Sequence, residues 1–201
     1  MPPTRLYRPA ALCGLACALV LAVNAARRTG AIPTTAVTHA VAPLAETFGL
    51  LALIGLYLPH RERSGRAGLA AFTLNFVGLC GVLGAEFIIN LIFPALTTAQ
   101  TDSLLHGLTG KVLTIASIVF LLGAATFGTM LWRLALLPRP ATLAYVIGSA
   151  LIALRGVLPS AVFDTGVFIA AAGIAALSVA LARIAPADIR QPPARTAAGH
   201  R

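Results

Sequence analysis

Two stretches of this chain, Val112 to Trp132 and Thr165 to Ala182, contain no Asp, Glu, Lys or Arg, and Glu46 is the only such residue between Arg28 and Arg61. Apolar runs of that length match the roughly 20 helical residues needed to cross a bilayer. Because they are continuous rather than alternating, they exclude a β-barrel. Only 10% of the residues are charged and 58% are hydrophobic, against about 25% charged in an ordinary soluble domain. Lipid is therefore the solvent that suits this chain.

Cutting at Pro, Gly and charge clusters separates six apolar segments, at about 10–26, 36–58, 67–93, 111–137, 141–158 and 161–183. The predicted fold is all-α, a polytopic transmembrane bundle of about six spans over residues 1–185. A basic, Pro-rich tail over 186–201 lacks any apolar stripe and is read as disordered and cytoplasmic. The first segment is read as a retained span because further spans follow it. Arg5 and Arg8 ahead of an apolar core, with Val23-Asn24-Ala25 as a cleavage site, are also what a signal peptide would show.

The formal charge of +9 would suggest nucleic acid as the partner of a soluble protein. Here the basic residues stand at segment ends in short loops, so they act as topology signals and no nucleic acid is implied. With both termini inside, Arg5, Arg8, Arg61, Arg63, Arg66, Arg133, Arg139, Arg183, Arg190, Arg195 and Arg201 are cytoplasmic. Arg27, Arg28, Lys111 and Arg155 are left outside, a positive-inside bias that the adjacent Arg27-Arg28 pair breaks. Trp132 and Tyr57 fall near inner ends, where an interfacial aromatic belt is expected.

Ionisable groups within spans are costly and so are the first candidates for function. They are His39, Glu46, Glu86, Arg155 and Asp164. His39 and Glu46 are seven apart on nearly one face of the second segment, with Pro43 freeing the carbonyl of His39 and inviting a kink. Asn75, Glu86 and Asn90 share a face of the third. Counting from the outer ends at 1.5 Å per residue puts His39 and Asn90 about 5 Å deep, Glu86 about 10 Å and Glu46 about 15 Å. His39, Glu46, Glu86 and Asn90 thus converge on an outward-facing pocket where the carboxyls, partly desolvated, bind a proton or cation and His39 assists. The same carboxyls would serve equally as hydrogen-bonding glue between helices. Arg155 and Asp164, joined by a short turn through Pro159, are the expected structural ion pair.

Other chemistry finds little support. Asp102 and His106 in the loop from Pro94 to Gly110 offer metal-ligand types, but there is no HExxH and no paired His on one helix, so neither metal nor cofactor is implied. Thr101-Asp102-Ser103 reads instead as the cap of a short interfacial helix. Ser117, Ser149, Ser160 and Ser178 lack a nearby His, and no Gly-x-Ser-x-Gly or phosphate-binding glycine loop occurs, so no catalytic residue is assigned. Cys13, Cys17 and Cys80 are read as small apolar packing residues. Gly78, Gly81 and Gly84, with Ala124, Gly128, Gly166 and Ala170, are expected to be small surfaces for close helix packing.

A span containing His39 and ending Gly55-Leu56-Tyr57, a basic loop, a span ending in Glu86 and Pro94, and a fourth leading into Leu136-Leu137-Pro138-Arg139 form one pattern. Over roughly residues 36 to 183 it resembles that of uncharacterised multi-pass membrane proteins of high-GC bacteria. The resemblance implies a six-span fold and carries no activity. A bacterial plasma membrane protein that binds or moves a small solute, ion or proton through the outer cluster is the leading expectation. A non-catalytic membrane subunit or regulator is the rival, and a membrane-embedded redox or hydrolytic enzyme comes third.

Overall fold

The computed structural model describes residues 4–187, with side chains over 6–184, and every regular element among them is helical. The principal helices are α1 (Thr4–Arg28), α2 (Ala36–Val41), α3 (Leu44–Tyr57), α4 (Arg61–Phe87), α5 (Thr98–His106), α6 (Leu108–Leu134), α7 (Arg139–Ala153) and α8 (Ser160–Ala187). Helix α8 takes in the start of the expected tail, and the rest of that tail, 188–201, lies outside the described residues.

Four helical stretches are long and apolar enough to cross a membrane: Leu6–Arg28, Ala36–Ala95, Leu108–Leu134 and Ser160–Ile184. The second is not one rod. Tyr57 stacks on Phe72 with ring centroids 4.5 Å apart, whereas a straight helix would hold the two about 22 Å apart. The chain reverses through the tight turn Leu58–His60, where His60 is fully buried and its Nδ1 donates to the carbonyl of Leu56 at 2.8 Å. Gly65, at φ +56°, supplies the left-handed residue that lets the chain run on into the rest of α4.

Neighbouring helices close into a ring: α1 packs on α3, α3 on α4, α4 on α6, α6 on α7, α7 on α8, and α8 on α1. At two of these seams glycine brings backbone against backbone. A Cβ on Gly78 of α4 would lie 2.5 Å from Cα of Phe120, and one on Gly123 of α6 would strike the backbone of Asn75, so α4 and α6 meet backbone to backbone. Gly148 of α7 and Gly173 of α8 do the same at the next seam but one, against Ala170 and Tyr145. Gly81, Gly128 and Gly166 also face close neighbours, as expected, but Gly84 has nothing within 4 Å and plays no part in packing.

One end of the ring is apolar. Tyr7, Leu56, Tyr57, Leu131, Leu137 and Leu181 belong to its main core, drawn from α1, α3, α6, the turn before α7 and α8, with Phe72 and Phe76 of α4 packed against it. Exposed around that end are Arg61, Arg63, Arg66, Arg133 and Arg139, the last with its guanidinium 5.5 Å from the Trp132 ring centroid. At the opposite end a smaller cluster of Ala25, Phe163 and Val167 borders Arg28, Glu46, Glu86 and Arg155.

Local breaks shape that second end. Pro43 has no N–H for the carbonyl of His39, so the helix parts into α2 and α3; the carbonyl is not left free, because Ala42 N donates to it at 3.3 Å. Beyond α4 the backbone widens into one π-helical turn, Ile88–Ile92, with Asn90 buried inside it. Helix α5 is capped by Thr97 with Gln100 in a reciprocal capping box, so Thr101, Asp102 and Ser103 lie within the helix and not at its cap.

Candidate functional site

The last turn of α1 delivers the centre of the site. Arg27 is buried, and its two terminal nitrogens donate to different elements, Nη1 to His39 Nδ1 of α2 and Nη2 to Asn90 Oδ1 of the π turn, both at 2.8 Å. Asn90 relays the contact, its Nδ2 donating to Glu86 Oε2 at 2.7 Å and to the Glu86 carbonyl at 3.0 Å. The other oxygen of Glu86 accepts from Arg155 Nη1 at 3.4 Å, beyond the end of α7. The path His39–Arg27–Asn90–Glu86–Arg155 therefore ties together α1, α2, α4 and the turn after α7.

The next residue, Arg28, makes a second connection. Its Nε donates to Asp164 Oδ1 of α8 at 2.9 Å, with both side chains largely buried. Asp164 is thus paired across the seam between α1 and α8, and the expected pairing of Arg155 with Asp164 is replaced by two longer-range pairs. Sequence proximity through Pro159 favoured the local partner; packing of α1 on α8 brings Arg28 in instead. Both guanidinia lie over the Phe163 ring, Arg28 at 4.2 Å and Arg155 at 5.2 Å from its centroid, so the two networks meet on one aromatic side chain.

Glu46 stands apart. It is buried, and its Oε2 has no hydrogen-bond partner among the described residues. The carboxyl lines a cavity of about 80 Å³ on the axis of the ring, to which all six packed helices contribute: Cys17, Asn24 and Arg28 from α1, Gly49 from α3, Glu86 from α4, Phe120 from α6, Tyr145 and Ser149 from α7, and Val167 from α8. Space of that size holds a few waters or a very small solute. A second pocket of about 720 Å³ opens at the side, between the end of α4, α5, the start of α6 and the turn after α7. Glu86, Phe120 and Phe163 belong to the walls of both, which makes Glu86 part of the partition between them.

Of the residues singled out in the sequence, His39, Glu86 and Asn90 are joined in one network, and Glu46 shares the axial cavity with Glu86. Asn75 lies deeper, its Nδ2 donating to the Tyr145 hydroxyl at 2.7 Å, and is not part of that network. His106 is exposed on α5 and bonded to the Asp102 carbonyl at 2.8 Å, with no hydrogen bond to the cluster among the described residues. The three cysteines are free: Cys17 lines the cavity and Cys80 is exposed on the outside of the bundle, so packing accounts for the first and not for the second. The residues that sequence reasoning missed are Arg27 and Arg28. Their signal was visible as the pair that broke the positive-inside pattern.

A ring of apolar helices with an enclosed polar cluster near one end defines the class: an α-helical membrane protein with an internal polar site. No family model matches this chain, and no curated protein or solved structure does either.

Proposed function

We propose that this chain is a bacterial plasma membrane protein that binds, and moves, a small solute, ion or proton through the polar end of its ring. In this reading the six packed rods are six crossings, with both termini cytoplasmic and the polar end facing outward. Helix α7, at 15 residues, spans about 22 Å; the chain beyond Ala153 then completes the crossing of a hydrocarbon core near 30 Å. The kinship with multi-pass proteins of high-GC bacteria belongs to the same proposal.

The observation that carries it is Glu46. A buried carboxyl with an unpartnered oxygen is costly in an apolar cavity unless it holds a proton, or a cation in the proton's place. Every other carboxylate oxygen of the cluster that faces a partner is held by an arginine or an asparagine, whereas Glu46 Oε2, like Arg27 Nε, is buried with no partner among the described residues, which packing alone does not explain. Glu86, which lines both the cavity and the open pocket, offers the route by which the cavity communicates with the outside.

The test is flux in proteoliposomes. Glu46→Gln keeps the shape and removes the titratable group, and it is expected to abolish proton or solute movement while the protein still folds. Normal flux in Glu46→Gln would overturn the reading. The dense cross-linking of α1, α2, α4 and α8 by arginine favours a second reading, in which the chain is a non-catalytic subunit or regulator and the polar groups serve cohesion alone. In that case Glu46→Gln is silent in flux, and Glu46→Leu, which refills an apolar site, is the variant that changes stability.

A further inference from the structure

We infer that the lateral pocket of about 720 Å³ is a site for a small amphiphile with an anionic head, held by Arg155 in place of Glu86. Its volume lies in the range of ordinary ligand pockets. The walls are mainly apolar, with Ile89, Phe93, Leu113 and Ile118 among them, and the charge is confined to one end, where Arg155 meets Glu86. Ile118 and Val157 in its rim are exposed on the outside of the bundle, which leaves a side opening toward the acyl region of a bilayer. A molecule with one apolar tail and one charged group matches that division.

The sign of the head follows from charge and exposure. The side chain of Arg155 is 40% exposed and that of Glu86 13%, so an arriving head group meets the guanidinium first. The Arg155–Glu86 contact, at 3.4 Å, is long for a charge-assisted bond, whereas Glu86 Oε2 is held by Asn90 at 2.7 Å. An incoming carboxylate would therefore displace Glu86 from Arg155 and leave Glu86 on Asn90. The balance of charge agrees, and here the inference rests on the reading of Glu46 as a protonated, neutral acid. With Glu46 neutral, the guanidinia of Arg27, Arg28 and Arg155 face only two carboxylates, Glu86 and Asp164, with His39 accepting from Arg27.

Octanoate is the probe, titrated calorimetrically into the full chain in nanodiscs of zwitterionic lipid, with octylammonium and empty nanodiscs as controls. Saturable octanoate binding is expected, with no matching octylammonium binding. Arg155→Gln should weaken it roughly 10- to 100-fold, the worth of a charge-assisted hydrogen bond, and Arg155→Lys should retain most of it. Glu86→Gln should tighten it several-fold, because the resident competitor is gone; misfolding cannot produce a gain. Octanoate uptake no greater than that of empty nanodiscs by both the unaltered chain and Glu46→Gln, preferential binding of octylammonium, or affinity unmoved by Glu86→Gln would each overturn the inference. The two proposals fail separately: octanoate binding confined to Glu46→Gln would keep the anion site and remove the proton reading, whereas Glu46-dependent flux without octanoate binding would do the reverse.

Discussion

Arg27 is held inside the bundle by acceptors on two other elements, His39 on α2 and Asn90 in the π turn. Truncating it strands both, and the cost of a buried polar group left without its partner is about 1–3 kcal/mol, more where a charge is involved. Arg27→Ala is therefore expected to destabilise the protein by about 2–3 kcal/mol, measured by thermal unfolding in mild detergent. In a double-mutant cycle with Asn90→Ala the two losses should overlap by about 1 kcal/mol or more, and strict additivity would show that the bond does not form. The sequence makes part of this network readable. Helical spacing puts Glu86 and Asn90 on one face and His39 at similar depth, because each lies in an apolar run where any polar group stands out. Arg27 and Arg28 escape that test. A basic residue in the last turn of an apolar helix looks the same whether it turns outward to head groups or inward to acceptors on helices far along the chain. The partner of Asp164 was misread for a related reason: Arg155 is near in sequence, while Arg28 is brought near only by the packing of α1 on α8.

At the scale of elements, the seams between helices are set by small residues, and the glycines are not equivalent. Gly78 meets the backbone of Phe120, which cannot yield as a side-chain tip would, whereas Gly84 is exposed with nothing within 4 Å. Gly78→Ala is expected to cost about 1–3 kcal/mol, the usual range for overpacking. Gly84→Ala should be neutral or stabilising by up to about 1 kcal/mol, because it removes backbone freedom from the unfolded helix. Thermal unfolding of the two variants side by side checks this, and equal losses would contradict the seam between α4 and α6. Three glycines spaced three apart read alike in a sequence; which of them faces a neighbour depends on how α4 is rotated, and spacing alone does not supply that. Breaks were more legible. Pro43 divides α2 from α3 because a missing N–H acts wherever it occurs. The π turn at Asn90 has a similar local cause in Pro94, which has no N–H for the Asn90 carbonyl, but its contact with Arg27 on another helix is not legible from spacing.

For the whole molecule, the arginines of the cluster bear on which end of the ring faces which side. Of the basic residues that counting by segments leaves outside, Arg27, Arg28 and Arg155 are bound to His39, Asn90, Asp164 and Glu86 within the cluster, which gives them a role in the fold but leaves them in the count of Lys and Arg. Lys111 stands at the same end without a place in the cluster, while Arg61, Arg63, Arg66, Arg133 and Arg139 are exposed at the other end. In the proposed orientation the residue pair that opposes the positive-inside pattern belongs to the site, which accounts for its presence there. Single cysteines at Ser64, in the reversal between α3 and α4, and at Thr98, at the start of α5, sit at opposite ends of the ring, and the native Cys13, Cys17 and Cys80 are replaced beforehand. An impermeant maleimide added to intact cells is expected to label Thr98→Cys at once and Ser64→Cys only after permeabilisation. Reversed labelling would place the polar end in the cytoplasm and turn an outward-facing site into an inward-facing one. Labelling of both from outside would mean that the run from Ala36 to Ala95 folds back without crossing twice, and the ring would then hold fewer crossings than rods.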